Sequence, residues 1–255
     1  MSNNTLKFLS FFPDSFNLHG DRGNVLAFEK VSKMLGLQFE FEKLDSFSAE
    51  VNFLDYDIIF VSPSEVRTCE GLSVRLSSYK DKLKEYIEKG KIIIVVGTSI
   101  CLFAKKTTRM DSSVFEGFAL AEVECKERKI TYSNDVVFTT ESFGDKIEVV
   151  GGQIQMVDVL TDEDNMLGEV TYGYGNCHKK DEGYIKDGFI FTNSLGPVFV
   201  KNPRLAEVVI KKAMLAKGEQ VDKQIDSFEL EEKSNCEIKK FIKKKIEVYD
   251  ASRLE

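Results

Sequence analysis

The chain has no tryptophan and only 4 prolines among its 255 residues, and its 5 cysteines are odd in number and widely spaced. The scarcity of proline, with 42% hydrophobic and 30% charged residues, excludes a fibrous or disordered class and describes an ordinary globular domain. Cys69, Cys101, Cys125, Cys177 and Cys236 show no pair at metal-ligand spacing and no disulfide framework, so no metal is expected. No apolar run reaches the ~20 residues of a membrane span, and the polar start does not read as a signal peptide. These absences together predict a cytoplasmic protein with reduced thiols. A basic excess is also missing: the formal net charge is -7, which argues against a general nucleic-acid binder. The local run Lys239, Lys240, Lys243, Lys244 and Lys245 is flanked by Glu231, Glu232, Glu237 and Glu247 and reads as a solvated helix face.

What is present is a repeated order of strand, loop and helix. A strand over Leu6–Phe12 precedes a turn-rich stretch, and apolar Leu26, Phe28, Val31 and Leu35 then mark a helix over Val25–Leu35 that Gly36 stops. A second strand is expected over Leu37–Leu44. The runs Tyr56–Ser62 and Lys91–Val96 are continuously apolar, as in parallel strands buried on both faces. Arg75–Lys89 reads as one amphipathic helix, and a further helix is expected beyond Gly97. This order predicts an α/β protein with a mostly parallel central sheet and helices on both sides. Beyond Val114 the strand-like segments Val123–Val137, Ile147–Met156, Met166–Tyr174 and Gly188–Asn193 suggest a partly antiparallel continuation of the same sheet. Pro203–Leu215 reads as a helix and Glu229–Val248 as a charged one. We expect one domain over residues 1–218, with 219–255 as its charged helical extension.

The segment Pro13-Asp14-Ser15-Phe16-Asn17-Leu18-His19-Gly20-Asp21-Arg22-Gly23-Asn24 carries more information than a capped turn needs. It resembles the opening of the class I glutamine amidotransferases of the cobyric-acid-synthase-like kind, above all the small glutaminase subunits of lipid II isoglutaminyl synthases, with His19 in place of a tyrosine. Asp55–Phe60, Gly90-Lys91, Gly173-Tyr174-Gly175-Asn176, Glu182-Gly183, Gly196-Pro197 and Lys201-Asn202-Pro203 follow in the same order. The resemblance covers roughly residues 6–216. It implies a flavodoxin-like three-layer fold, no cofactor, and a synthetase or ligase-like protein partner.

The resemblance also says which residues glutamine hydrolysis would need. The family's nucleophile is the cysteine of a Cys-Gly-Gly-Tyr-Gln turn between a buried strand and a helix, and a histidine from a later strand relays the proton. This chain reads Val95-Val96-Gly97-Thr98-Ser99-Ile100 at the turn, and matching the first glycines puts Val96 at the nucleophile. Leu195 stands where the histidine precedes Gly-Pro. The family's Gly-Gly-Gly-Gln-Asp loop has become Ser62-Pro63-Ser64-Glu65-Val66, where proline removes a backbone donor. A Glu-Asn-His-Gly-Gly segment is lost near Gly151-Gly152-Gln153-Ile154. No catalytic residues are therefore expected, and the chain reads as a pseudoenzyme kept for its surfaces. His19, Asp21, Asn24, Glu65, Gly97 and Asn176 are the candidates for a ligand or partner surface. Two other readings stay open, an enzyme of different chemistry on the same scaffold and a sensor of glutamine or a related amide. Cys101, five residues past Val96, and the pair Cys177-His178 read as non-catalytic.

Overall fold

The computed structural model describes residues 4–47, 49–177 and 180–251. Strands β1 (Thr5–Phe11), β2 (Gln38–Leu44), β3 (Ile58–Val61) and β4 (Ile92–Val96) are parallel neighbours in the order β2-β1-β3-β4. Beyond β4 the sheet is completed by β12 (Phe189–Thr192), parallel to it, and β11 (Tyr184–Lys186), antiparallel to β12. Because side chains alternate along a strand, each buried strand feeds two cores at once. Phe8, Ile58, Phe60, Ile92, Ile94, Val96 and Ile190 pack beneath α1 (Arg22–Leu35), α5 (Val198–Lys201) and α6 (Pro203–Ala216). Leu9, Phe11, Ile59, Val61, Ile93, Val95 and Phe191 pack beneath α2 (Val66–Arg75), α3 (Lys80–Glu88) and α4 (Ile100–Phe103).

Two expectations need correction. The single helix expected over Arg75–Lys89 is instead α2, a 3-10 turn at Ser77–Tyr79, and α3. Leu76, at φ -101 and ψ 13, leaves the helical region so that Leu76 and Tyr79 can both be buried, and the chain bends there. The antiparallel second half does not continue the first sheet. β5 (Lys106–Thr108), β6 (Val114–Phe115), β7 (Glu124–Thr140), β8 (Ile147–Leu160), β9 (Gly168–Tyr172) and β10 (Asp181–Glu182) form a second sheet around the long β7–β8 hairpin. Only β11 and β12 return to the first. The last helix, α7 (Glu229–Ala251), lays Ile242 and Ile238 on Val137 and Val150 of that hairpin. Among the described residues, no helix is long and apolar enough to cross a membrane.

Candidate functional site

The carboxyl ends of β3, β4 and β12 bring three loops together, as open α/β sheets do at their ligand sites. The first is the elbow after β4. Val96 is still extended, at φ -117 and ψ 135, and its fully buried side chain joins Ile94 and Ile92 in the core under α1 and α6. The sharp turn falls on Gly97, at φ +59. A 3-10 turn, Gly97–Ser99, leads into α4, which is only 4 residues long. So brief a helix offers little of the dipole that lowers a thiol pKa at longer helix N-termini.

The second loop, Ser62–Glu65, is tied to the elbow by side chains. The Ser99 hydroxyl donates to the Ser62 carbonyl at 2.6 Å and lies 2.9 Å from the Ser64 hydroxyl. Ser64 in turn lies 3.1 Å from the Cys69 sulfur, which reaches the Thr98 carbonyl at 3.6 Å. With its one proton on a carbonyl, Ser99 accepts from Ser64 and has no base to activate it. Pro63 is buried within the same loop.

The third loop carries Leu195, 3% exposed, whose backbone pairs with Gly152 of β8 through N–H···O distances of 2.7 and 3.3 Å. A Cβ placed on Gly97 would stand 3.1 Å from Leu195 Cδ2 and 3.4 Å from both Pro63 Cβ and Cγ. Where an amidohydrolase needs a nucleophile, a base and room for an amide, this chain has interlocked apolar groups and hydroxyls.

The thiols of Cys69 and Cys101, on α2 and α4, are both buried. Cys101 is fully buried; its hydrogen bond with Cys125 and its burial both push the thiol well above its ordinary value. Burial likewise pushes the Cys69 thiol up. His19 is the one described histidine, half-buried on the loop after β1, and His178 lies outside the described residues.

The residues proposed as a surface divide. Glu65 is exposed and His19 partly so, but Asp21, Asn24, Gly97 and Asn176 are buried, which corrects their assignment to a surface. Burial pushes the Asp21 carboxyl up, and one of its oxygens accepts the His19 N–H at 3.2 Å. Asn24 does not cap α1, which begins at Arg22; its side-chain oxygen accepts the Phe199 N–H at 2.9 Å and so joins α1 to α5. Asn176 is fully committed. Its amide donates to Asp181 Oδ2 (3.1 Å) and the Gly183 carbonyl (2.8 Å), and its oxygen accepts from Gly183 N–H (2.8 Å) and Asn193 Nδ2 (2.9 Å). The burial of these polar residues had no sequence signal, because their partners lie elsewhere along the chain.

Glu182 was missed as a site neighbour, although it sits in the same network. It is fully buried, with Thr192 Oγ1 at 2.8 Å, Asn193 N at 2.7 Å and Asn193 Nδ2 at 3.1 Å donating to it. Burial pushes its carboxyl above the ordinary value, against the lowering by these donors. A carboxyl raised on folding binds its proton more tightly in the folded state, so its contribution favours folding at low pH. That contribution is lost as pH rises from the ordinary carboxylate value through the raised one. The urea midpoint of the parent, relative to that of Glu182→Gln, is expected to rise as pH falls from about 7.5 to about 5. A difference that stays flat over this range would contradict the buried, raised carboxyl.

The assembled fold is that of the class I glutamine amidotransferases. It is similar to the lipid II isoglutaminyl synthase (glutamine-hydrolyzing) subunit GatD of Staphylococcus aureus strain N315. The two are 27% identical over 213 residues, 82% of this chain and 84% of that one. The subunit of the same name from Streptococcus pneumoniae strain ATCC BAA-255/R6 is 22% identical over 226 residues, covering 88% and 86%. Among solved structures, PurLQS from Thermotoga maritima superposes with a TM-score of 0.54 at 12% identity, over 84% of this chain and 99% of that one. The glutaminase domain of Trypanosoma brucei CTPS with bound acivicin gives 0.52 at 12%, over 84% and 95%. No family model matches the chain.

Proposed function

We propose that this chain is a glutaminase-like subunit from which glutamine hydrolysis has been lost, retained as a structural or regulatory component beside a synthetase or ligase-like partner. The partner is argued from the relatives, which are named as subunits of a synthase. The loss of chemistry is argued from one observation above all. The side chain at the histidine position, Leu195, lies 3.1 Å from where a Cβ on Gly97 would stand, in a buried contact whose three nearest atoms are all aliphatic carbons of Leu195 and Pro63. Amide hydrolysis needs a nucleophile, a proton relay and oxyanion donors around an accessible carbonyl, and removing the first two removes most of the rate.

The purified protein, alone and with its co-purifying chain, is expected to release no glutamate from glutamine above the uncatalysed background. Turnover that persists in Cys101→Ala and Cys177→Ala would overturn this reading and require another nucleophile. An enzyme of different chemistry is less well supported, because the polar groups Asp21 and Ser64 are buried and already bonded within the protein. An amide sensor would need an opening at the elbow, where Ser62, Ser64, Gly97, Ser99 and Leu195 are all buried. A thermal shift with millimolar glutamine would revive that reading.

A further inference from the structure

We infer that Gly97, and not Val96, holds the nucleophile position of this elbow, and that Leu195 plugs the space which a side chain there would enter. The inference rests on the amidotransferase-like reading of the elbow, but not on whether the protein turns over glutamine. Val96 is a strand residue: it pairs in register with Thr192, has extended dihedrals, and continues the alternation of Ile92 and Ile94 into the core under α1 and α6. A side chain so placed points beneath the sheet rather than off its carboxyl edge. Nucleophiles on strand-to-helix elbows sit one step further on, at the strained residue that makes the sharp turn. Here that residue is Gly97, the first past β4, with φ +59.

The direction of its missing side chain agrees. A Cβ on Gly97 would point between Leu195 Cδ2 at 3.1 Å and the Pro63 ring at 3.4 Å. Those two residues belong to the loops that the resemblance assigns to the proton relay and the oxyanion site. Thr98, Ser99, Ile100 and Cys101 then stand opposite the family's Gly-Gly-Tyr-Gln. On this register the nucleophile was deleted to a hydrogen atom, and the leucine at the histidine position grew into the vacancy.

The test compares Gly97→Cys with Val96→Cys, each combined with Leu195→Ala to withdraw the plug, in a Cys177→Ser, Cys236→Ser background. Native protein is treated with iodoacetamide, whose iodide leaves as the sulfur–carbon bond forms, and the labelled cysteine is located by peptide mass. Gly97→Cys is expected to label at least about tenfold faster than Val96→Cys, since alkylation follows access and thiolate character. Buried Cys69, Cys101 and Cys125 serve as internal unreactive controls. Equal labelling, faster labelling of Val96→Cys, or no labelling of either would overturn the inference.

Because a cysteine at positive φ is strained and could impair folding, melting temperatures of Gly97→Ala, Leu195→Ala and the double variant supply a second measurement. The backbone cost of alanine at position 97 does not depend on residue 195, but the steric cost does. The double variant is therefore expected to melt above the additive value, and strict additivity would count against the plug. Glutamine turnover by the unsubstituted chain would sink the proposed function and leave these labelling outcomes intact.

Discussion

Asn176→Ala is expected to destabilise the protein by about 4 kcal/mol, a large share of the ~5–15 kcal/mol that holds a typical domain together. The amide of Asn176 meets four partners: Asp181 Oδ2, the Gly183 carbonyl, the Gly183 N–H and the Asn193 amide. All lie in buried surroundings that water reaches only if the structure opens. Each buried polar group stripped of its partner costs ~1–3 kcal/mol, more where it carries charge. Two features raise the total towards the upper end. Asp181 Oδ1 already has no partner, so losing the bond to Oδ2 leaves a buried carboxylate bare. Asn193 also donates to Glu182, so its displacement would loosen two of the donors on a second buried carboxyl. Asn176→Asp is no remedy, because it would face Asp181 with a like charge. Urea unfolding of the parent, Asn176→Ala and the partly exposed control His19→Ala makes the comparison, with His19→Ala expected within ~0.5 kcal/mol of the parent. A nearly neutral Asn176→Ala would restore this residue to the ligand or partner surface from which its burial removes it.

The contrast between His19 and Asn176 shows where sequence reasoning reaches and where it stops. The parallel sheet was readable because a strand buried on both faces writes itself as an unbroken apolar run, as Ile92–Val96 does. The ends of α1 and α6 were readable because Gly36 and Gly218 take the left-handed conformation that terminates a helix. The break at Leu76 was not, because a 3-10 turn that buries Leu76 and Tyr79 keeps nearly the same apolar spacing as a continuous helix. Nor was the second sheet, since strand patterns reveal alternation but not which sheet an antiparallel strand joins. For the site, ordered motifs pointed to Leu195 and the loop at Ser62–Val66, and the fold sets Leu195 and Pro63 beside Gly97; Cys101 lies buried in the core. The elbow's register was decided by a backbone angle. Matching glycine to glycine selects Val96, whereas the positive φ selects Gly97, and a string of letters carries no φ. Asn176 was singled out for its place in a Gly-Tyr-Gly-Asn run. Its meaning lies in partners at positions 181, 183 and 193 that only the folded chain brings to it.

Gly151→Ala is the second substitution with a large expected effect, and it probes the junction that holds Leu195 in place. Gly151 lies on β8, where its neighbours tie the second sheet to the first: Gly152 pairs with Leu195, and Val150 exchanges hydrogen bonds of 2.9 Å with the Asn202 side chain. A Cβ at position 151 would fall 1.9 Å from Ser194 Oγ, 3.2 Å from Ser194 Cβ and 3.3 Å from the Leu195 carbonyl oxygen. No rotamer of the introduced methyl avoids this, because the clash is with Cβ itself. Either the Ser194 hydroxyl turns out of its present rotamer or the two segments separate, at an overpacking cost of ~1–3 kcal/mol plus about 1 kcal/mol for each hydrogen bond stretched. A loss of about 3 kcal/mol in urea unfolding is expected. Ser194→Ala alone should be nearly neutral or slightly stabilising, since its buried hydroxyl has no partner to lose. Combined with Gly151→Ala it removes the 1.9 Å contact and leaves the 3.2 Å one, so the double variant should recover more than half of the loss. Simple additivity of the two substitutions would mean that β8 and the Leu195 loop are not pressed together at this point. The plug over Gly97 would then lack the support that the Gly152 pairing gives it.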